Sequence, residues 1–203
     1  MSMNTTEKPL TVLFYGPSGS GKGTQARLLQ EHLRREDTSR ECEYIETGSL
    51  VREFQEGNGY TRGLVRVATG GGGLLPSFIP IHLWTKYFVE RFEGVEHIIL
   101  DGLARRRHEV DVLEEALRFY KRSDYRIVSF SLSEESVRER LLSRHRGDDV
   151  SAAAIEKKIG WYREEVVPAL ERFKELGASI FSVDAEPSID DIHRTILKEL
   201  DLT

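Results

Sequence analysis

The groups that bind phosphate are concentrated in nine consecutive residues, Gly16-Pro17-Ser18-Gly19-Ser20-Gly21-Lys22-Gly23-Thr24. Glycines let the backbone adopt positive φ and approach a ligand closely, so that several N–H groups point at one anion. Lys22 adds a positive charge that can reach the outer phosphates. Residues 10–15 before the loop are apolar and residues 25–29 after it are helix-like, the strand–loop–helix order of a phosphate-binding loop. A glycine-rich turn without a ligand is the alternative, and the spacing, the lysine and the flanking segments disfavour it.

A carboxylate follows the apolar run at residues 97–100. Asp101 precedes Gly102, and it suits a group that holds Mg²⁺ through the ion's water shell. Mg²⁺ keeps several waters and needs only one or two carboxylates besides phosphate oxygens. An aspartate that caps a helix or a turn is the alternative. The phosphate loop in the same chain favours a magnesium site at Asp101.

Basic residues form the second signal. Phosphoryl transfer spreads negative charge over the moving group, and arginine binds phosphate oxygens in a bidentate manner. Arg105 and Arg146 stand in breaks between predicted elements and are the strongest candidates, whereas most of the other basic residues are explained by ion pairs on helix surfaces, such as Glu134 with Arg138. The complete set is Arg52, Arg105, Arg106, Arg107, Arg138, Arg140, Arg144, Arg146, Lys157, Lys158 and Arg163.

Composition limits the class of protein. The 203 residues can bury one sizeable core, and the net charge of −5 argues against a protein that coats nucleic acid. The single cysteine, Cys42, excludes an intrachain disulfide and a cysteine-rich zinc site, and it fits a reducing compartment. No apolar run is long enough to span a membrane, and residues 1–9 are polar. We therefore expect a disordered leader at 1–9 and a cytoplasmic monomer without nucleic-acid or membrane partners.

Hydrophobic periodicity predicts alternating strands and helices. Such alternation is typical of an α/β fold with a parallel sheet covered by helices on both faces, and ligands bind at the carboxyl edge of such a sheet. Gly16 and Asp101 should therefore lie on the same edge. The predicted strands are 10–15, 43–46, 97–101, 125–132 and 178–183. The predicted helices are 24–35, two short ones within 48–69 broken at 57–59, 77–92, 106–121, 134–144, 151–176 bent at Pro168, and a terminal helix capped by Ser188.

At this point the ordered motifs resemble adenylate kinases and their nucleoside monophosphate kinase relatives, over about residues 10–200. The loop has the form GSGKGTQ, in which Gly23 and Thr24 follow the lysine as in that family. The other motifs, in order, are Thr47-Gly48-Ser49-Leu50-Val51-Arg52, Gly73-Leu74-Leu75-Pro76, Asp101-Gly102-Leu103-Ala104-Arg105, Arg146-Gly147-Asp148-Asp149 and Val183-Asp184-Ala185.

The resemblance implies a P-loop NTPase fold with a five-stranded parallel sheet, and a single kinase domain at 10–203. Its parts would be a core (10–46, 77–144 and 151–203), a helical flap over the monophosphate (47–76) and a short lid without zinc (about 144–151). ATP with Mg²⁺ would bind the loop from Gly16 to Thr24 and the backbone of Ala185. The monophosphate would contact Thr47, Gly48, Arg52, Gly72, Leu75, Gly102, Arg105 and Glu109. Besides Lys22 and Arg105, transfer would involve Arg144 or Arg140, Arg146 and Lys158.

Several positions depart from the family pattern. Glu109 stands where the family has a glutamine that reads the adenine of AMP, and an ionised carboxylate can only accept hydrogen bonds. AMP remains the first choice of acceptor, but Glu109 would suit guanine, so a kinase for GMP or for UMP and CMP is an alternative. Ala104 replaces a proline, Ser49 an acidic residue and Lys158 an arginine. These changes motivate a second alternative, an ATP-binding regulatory homologue with weakened catalysis.

Overall fold

The computed structural model describes residues 8–70, 73–143 and 151–203. Within these ranges strands alternate with helices as the periodicity predicts. The strands are β1 (Thr11–Tyr15), β2 (Cys42–Glu46), β3 (His97–Asp101), β4 (Arg126–Ser131) and β5 (Ser179–Asp184). The helices are α1 (Lys22–Glu36), α2 (Thr47–Gln55), α3 (Tyr60–Gly70), α4 (Phe78–Glu90), α5 (Arg107–Phe119), α6 (Glu134–Ser143), α7 (Ala152–Trp161), α8 (Val167–Glu175) and α9 (Ile189–Glu199).

The strands form one parallel sheet in the order β2-β3-β1-β4-β5, which confirms the predicted five-stranded sheet. From β1 the chain passes to β2 on one side of the sheet, and from β3 it passes to β4 on the other. The carboxyl ends of β1 and β3 therefore flank the point where the winding reverses, which is where open α/β sheets bind ligands. In the register of these two strands Phe14 lies opposite Asp101. The prediction that Gly16 and Asp101 share one edge is confirmed.

Two apolar layers cover the sheet because its strands alternate their side chains between the faces. Leu13 and Leu100 point to one face and pack with Trp84, Val110 and Phe173 from α4, α5 and α8. On the opposite face the layer joins β1, β3 and β4 to α1 and α9, through Val12, Phe14, Ile99, Phe130, Leu29 and Ile196. This second layer also buries Cys42, and burial raises the pKa of its thiol to about 12.

A small apolar cluster joins helices α2 and α3 to α4. Val65, Leu75 and Ile79 are buried together, and Phe54 packs against them. The chain breaks between the two helices at Gly57, whose φ of 81° is a left-handed conformation that favours glycine. The predicted break at 57–59 is confirmed. The predicted leader at 1–9 and lid at 144–151 lie almost entirely outside the described residues.

The predicted helix 151–176 is interrupted ahead of Pro168 rather than simply bent there. Residues Tyr162–Val166 form a π-helical turn, in which the N–H of Val167 donates to the carbonyl of Tyr162, five residues earlier. Proline has no N–H for the usual helical bond, so the turn that precedes it can widen at little further cost.

Among the described residues, no helix is long and apolar enough to cross a membrane.

A buried histidine joins the amino end of the sheet to the loop after α1. His97 has no exposed surface; its Nδ1 accepts the N–H of Leu10 at 2.9 Å and its Nε2 lies 3.1 Å from a carboxylate oxygen of Asp37. Because Nδ1 is an acceptor, the ring is the neutral tautomer that donates from Nε2. Burial holds the pKa of His97 below its usual value, although the Asp37 carboxylate opposes this shift.

This arrangement predicts a loss of stability in mild acid. A histidine whose folded-state pKa is depressed stabilises the protein fully above its ordinary pKa near 6.5, and this contribution is lost as the pH falls toward the folded-state value. Urea unfolding between pH 7.5 and 5 should show the free energy of unfolding falling in the wild type. His97→Gln should be less stable by about 1–3 kcal/mol at pH 7.5, but its curve should fall less steeply. Parallel curves for the two proteins would contradict the assignment; His82→Gln, at an exposed position, is the control.

Candidate active site

One large cavity, of about 920 Å³, opens at the carboxyl edge of the sheet. It is lined by the loop after β1, the end of β2, the turn after β3 and one face each of α2, α3 and α7. Most of the residues that the sequence analysis selected lie on it. They are Ser18, Gly19, Gly21, Lys22, Gly23, Thr24, Thr47, Gly48, Arg52, Leu75, Asp101, Gly102, Arg105, Glu109 and Lys158.

The remaining selected residues fall into three groups. Gly16 lines a smaller adjoining cavity, of about 50 Å³. Ser20 and Ala185 are buried and do not line the large cavity. The carbonyl of Ala185 accepts a hydrogen bond at 2.9 Å from Arg140, whose side chain lines that cavity. The third group lies outside the described residues: Gly72, Arg144 and Arg146.

The loop after β1 has the shape of an anion nest. Gly19 and Gly21 have φ of 84° and 86°, conformations that bring successive N–H groups toward one point. Gly16 packs against β4, and a Cβ there would lie 2.8 Å from the Cβ of Phe130, so the loop could not follow this path with a larger residue. α1 begins at Lys22 without an acidic residue in its first turn, so its positive dipole end is available to an anion.

Lys22 folds back over this loop. Its ammonium donates to the carbonyls of Gly16 at 2.9 Å and Pro17 at 2.8 Å. Burial lowers the pKa of Lys22 to about 8, while the nearby Asp101 carboxylate acts in the opposite direction. A lysine surrounded by protein in this way gains most from a phosphate ligand, because the new negative charge compensates the loss of solvation.

Asp101 is buried at the end of β3, and one of its oxygens accepts a hydrogen bond from the Tyr44 hydroxyl at 2.8 Å. Burial raises the pKa of Asp101, against the opposing effects of Lys22 and Tyr44. Gly23 lies against this pair, since a Cβ on it would be 3.4 Å from the Tyr44 hydroxyl. Gly23 thus packs directly beside the Tyr44–Asp101 hydrogen bond.

The turn after β3 holds Arg105. Its Nε donates to the carbonyl of Gly102 at 2.9 Å, and the hydroxyl of Thr47, the first residue of α2, donates to the same oxygen at 2.9 Å. Gly102 has φ of 64°, and a Cβ there would lie 2.9 Å from a guanidinium nitrogen of Arg105. Glycine therefore suits the left-handed backbone conformation and leaves the arginine in this position.

The backbone conformation of Ala104 explains why this chain lacks the proline that the family has at this position. Its φ is 49°, in the left-handed region, and proline is restricted to about −65°. The turn in this chain therefore has a conformation that a proline at position 104 could not adopt. The buried Tyr15 hydroxyl fixes the turn by donating to the carbonyl of Leu103.

Restoring the family residue should damage this protein. Ala104→Pro should lower the free energy of unfolding by about 2 kcal/mol or more, because the ring cannot reach a positive φ. Ala104→Gly is the matched control and should have a free energy of unfolding close to that of the wild type. The relief of left-handed strain, about 1–2 kcal/mol, is offset by the lost burial of the methyl group and by the conformational entropy of glycine in the unfolded chain. Thermal and urea unfolding of both variants would measure this. A proline variant as stable as the wild type would show that the turn has a different conformation.

Glu109 is buried at the start of α5, and its carboxylate already has protein partners. One oxygen accepts the backbone N–H groups of Arg105 at 2.7 Å and Arg106 at 3.2 Å, and the other lies 3.6 Å from the Arg106 guanidinium. This side chain caps the helix and fixes the backbone of the arginine that faces the cavity. Arg106 also donates to the carbonyl of Leu75 at 2.8 Å, which ties the end of the α2–α3 region to the turn after β3.

The structure adds residues that the sequence analysis did not select. The lining includes two further basic groups, Arg27 and Arg66, and the aromatic side chains of Tyr44 and Trp161. One signal in the sequence could have made Trp161 a candidate, since it is one helical turn after Lys158. Tyr44 is indicated only by the strand register, in which Glu46 pairs with Asp101.

The basic side chains that meet at this cavity belong to an acidic chain. Lys22, Arg27, Arg52, Arg66, Arg105, Arg106, Arg140 and Lys158 outnumber the carboxylates on the described lining, which are Glu46, Asp101 and Glu109. A concave site with this excess concentrates the field of its cations and attracts polyanions. The loop before α1 and Arg105 bring phosphate-binding groups to the cavity from two strand ends.

Comparison with known proteins agrees with this geometry. The family model of an AAA domain matches residues 15–156. The chain is 30% identical over 193 residues to an adenylate kinase of Corynebacterium urealyticum, covering 95% of this chain and 99% of that protein. It is 32% identical over 186 residues to an adenylate kinase of Corynebacterium aurimucosum, covering 91% and 96%. The chain belongs to the adenylate kinase family. It is a P-loop phosphotransferase, as its motifs predicted.

Proposed function

We propose that this kinase transfers the γ-phosphoryl group of ATP to a nucleoside monophosphate, and that AMP is the acceptor it uses most efficiently. The carrying observation is the single cavity in which the loop around Lys22 faces Arg105 across the β1–β3 crevice. Two separate phosphate-binding groups on one cavity suit a reaction between two nucleotides. The relatives named above are adenylate kinases, which supports AMP.

The proposed donor site is the loop after β1, with Lys22 on the outer phosphates. The proposed acceptor site lies between the turn after β3 and helices α2 and α3, which form the flap. Arg105 would hold the acceptor phosphate, and Arg52, which forms an ion pair with Glu46 at 3.0 Å, would be the second basic group there. The apolar cluster around Val65, which includes Ile79 of α4, packs this flap against the core.

Transfer would be direct and in line. An oxygen of the acceptor phosphate attacks the γ-phosphorus, and the bond from that phosphorus to the β–γ bridging oxygen breaks, so that ADP leaves with the electron pair. Positioning and electrostatic stabilisation supply most of the catalysis in such reactions. Lys22, Arg105 and Lys158 are the described cations that would stabilise the charge on the moving group. Arg144 and Arg146 would join them from the proposed lid.

The residues at the strand edge fit a magnesium ion that is bound mainly by the nucleotide. The described residues contain no group of three or more His, Cys, Asp and Glu that could hold a metal by themselves. Asp101 supplies one carboxylate at the cavity, and a single carboxylate suffices for Mg²⁺ when waters and phosphate oxygens complete its shell. We propose that Asp101 holds the ion through water. The ion, when bound, would neutralise phosphate charge.

The function is tested with labelled ATP and each monophosphate at equal concentration. The wild type should phosphorylate AMP faster than GMP, UMP or CMP. Lys22→Ala should reduce kcat/KM by a factor of about 100 or more, because the charge that stabilises the transferring group is removed. Lys86→Ala, at an exposed position on α4, is the matched control and should act like the wild type. A near-normal rate in Lys22→Ala, or no ADP from ATP and AMP, would overturn the proposal.

The contacts of Glu109 bear on the choice of acceptor. A free carboxylate at this position would favour a base edge with two donors, as guanine offers. Here the backbone donors of Arg105 and Arg106 already occupy the carboxylate. The argument for GMP is thereby weakened, which supports AMP.

Replacing Glu109 separates its two possible roles. Glu109→Gln should lower the free energy of unfolding by about 1–2 kcal/mol, because a charged helix cap becomes neutral, and should leave the ratio of AMP to GMP efficiency unchanged. Glu115→Gln, at an exposed position of the same helix, controls for loss of charge. If Glu109 reads the base, the AMP-to-GMP ratio should instead change about tenfold or more, since a mismatched buried hydrogen bond costs about 1–3 kcal/mol.

A further inference from the structure

Trp161 borders the cations of the site. The chain has two tryptophans; Trp84 is fully buried in the core, whereas Trp161, the last residue of α7, is partly exposed and lines both the large cavity and the smaller one of about 50 Å³. Its neighbour one helical turn earlier, Lys158, lines the same two cavities. The indole and this ammonium therefore share one face of α7.

The smaller cavity combines two kinds of lining. Three cations converge on it, those of Lys22, Arg105 and Lys158, beside the backbone of Gly16 and Gly102. The rest of its lining is largely apolar or aromatic and comes from segments far apart in the chain: Leu74 before α4, Tyr15 on β1, and Trp161, Tyr162 and Val166 around the π-helical turn. The place where phosphate-binding cations meet is thus walled by hydrocarbon and aromatic surface.

The position of the wall is fixed by packing behind it. Ile155 and Ile159 of α7 are buried with Val137 and Leu141 of α6, whereas Lys158 and Trp161 of the same helix line the cavity. The π-helical turn begins immediately after Trp161, and such turns change which face of a helix the following residues present. Trp161 is therefore the last residue that α7 can direct to this cavity.

Water is the chemical competitor at such a place. If a water oxygen attacks the γ-phosphorus, a new phosphorus–oxygen bond forms and the bond to the β–γ bridging oxygen breaks. The products are ADP and inorganic phosphate, and a water proton is released to solvent. The three cations would stabilise this reaction as well as transfer to the acceptor, so discrimination must come from excluding water. An indole suits this task because its N–H only donates and cannot accept a proton from an attacking water.

We propose that Trp161, together with Leu74, forms an apolar wall that keeps water away from the transferring phosphoryl group. This role rests on the proposed function, because it places transfer beside Lys22, Arg105 and Lys158. Trp161 reaches this place from α7 and Leu74 from the segment before α4, and both line the two cavities. Its effect is on the partition of the phosphoryl group between acceptor and water.

The test measures that partition with ATP labelled on its γ-phosphate and AMP in excess. Labelled ADP reports transfer to the acceptor, and labelled inorganic phosphate reports hydrolysis. Trp161→Ala should raise the ratio of inorganic phosphate to labelled ADP at least tenfold, and Leu74→Ala should raise it by a smaller factor. Trp161→Phe keeps an apolar ring and should remain within about twofold of the wild type. Phe119→Ala removes an exposed aromatic ring on α5 and should not change the ratio.

The outcomes separate this proposal from the proposed function. If the wild type labels no monophosphate at all, the proposed function fails, and the wall fails with it. If the wild type labels AMP and Trp161→Ala, with a wild-type circular dichroism spectrum, keeps the wild-type ratio, only the wall is refuted. Should Trp161→Ala fail to fold, Trp161→Gln takes its place, because it keeps more side-chain volume than alanine and adds a polar group. An unchanged ratio in that variant would refute the wall equally.

Discussion

The parallel pairing of β1 with β3 is the constraint on which the site depends. Phe14 lies opposite Asp101, the N–H of Gly102 donates to the Phe14 carbonyl at 3.1 Å, and the Tyr15 hydroxyl donates to the carbonyl of Leu103. These bonds place the loop after one strand beside the turn after the other. The nest around Lys22 and the guanidinium of Arg105 consequently meet at one cavity although they are far apart in the chain.

The cations of this cavity are oriented largely by neutral carbonyl groups. Lys22 donates to the carbonyls of Gly16 and Pro17, Arg105 to that of Gly102 and Arg140 to that of Ala185. A carbonyl fixes the direction of a positively charged side chain without neutralising it. An acidic protein can therefore present a strongly positive cavity, because its carboxylates are mostly placed elsewhere. Three of the cations also have acidic partners: Arg52 pairs with Glu46, Arg106 with Glu109 and Arg140 with Glu186.

Two of the departures from the family pattern, Ala104 and Glu109, act together at the turn after β3. Ala104 takes a left-handed conformation that proline could not. The carboxylate of Glu109 accepts the N–H groups of the two residues that follow Ala104, Arg105 and Arg106. Both changes act on the same few backbone atoms, and together they hold Arg105 at the cavity. The altered turn thus keeps the basic group while changing how it is supported.

Local patterns in the sequence were sufficient to predict the five strands, the loop after β1, the break at Gly57 and the shared edge of Gly16 and Asp101, because each depends on residues close together in the chain or on the general rules of parallel sheets. They also carried the family resemblance. The sequence could not indicate that Glu109 is occupied by backbone donors, that Tyr44 binds Asp101 or that Trp161 faces the cations of the cavity. Each of these contacts joins groups whose approach is set by helix packing and by the register of neighbouring strands. The sequence by itself therefore identified which residues can bind phosphate, whereas only the tertiary structure showed which groups they contact.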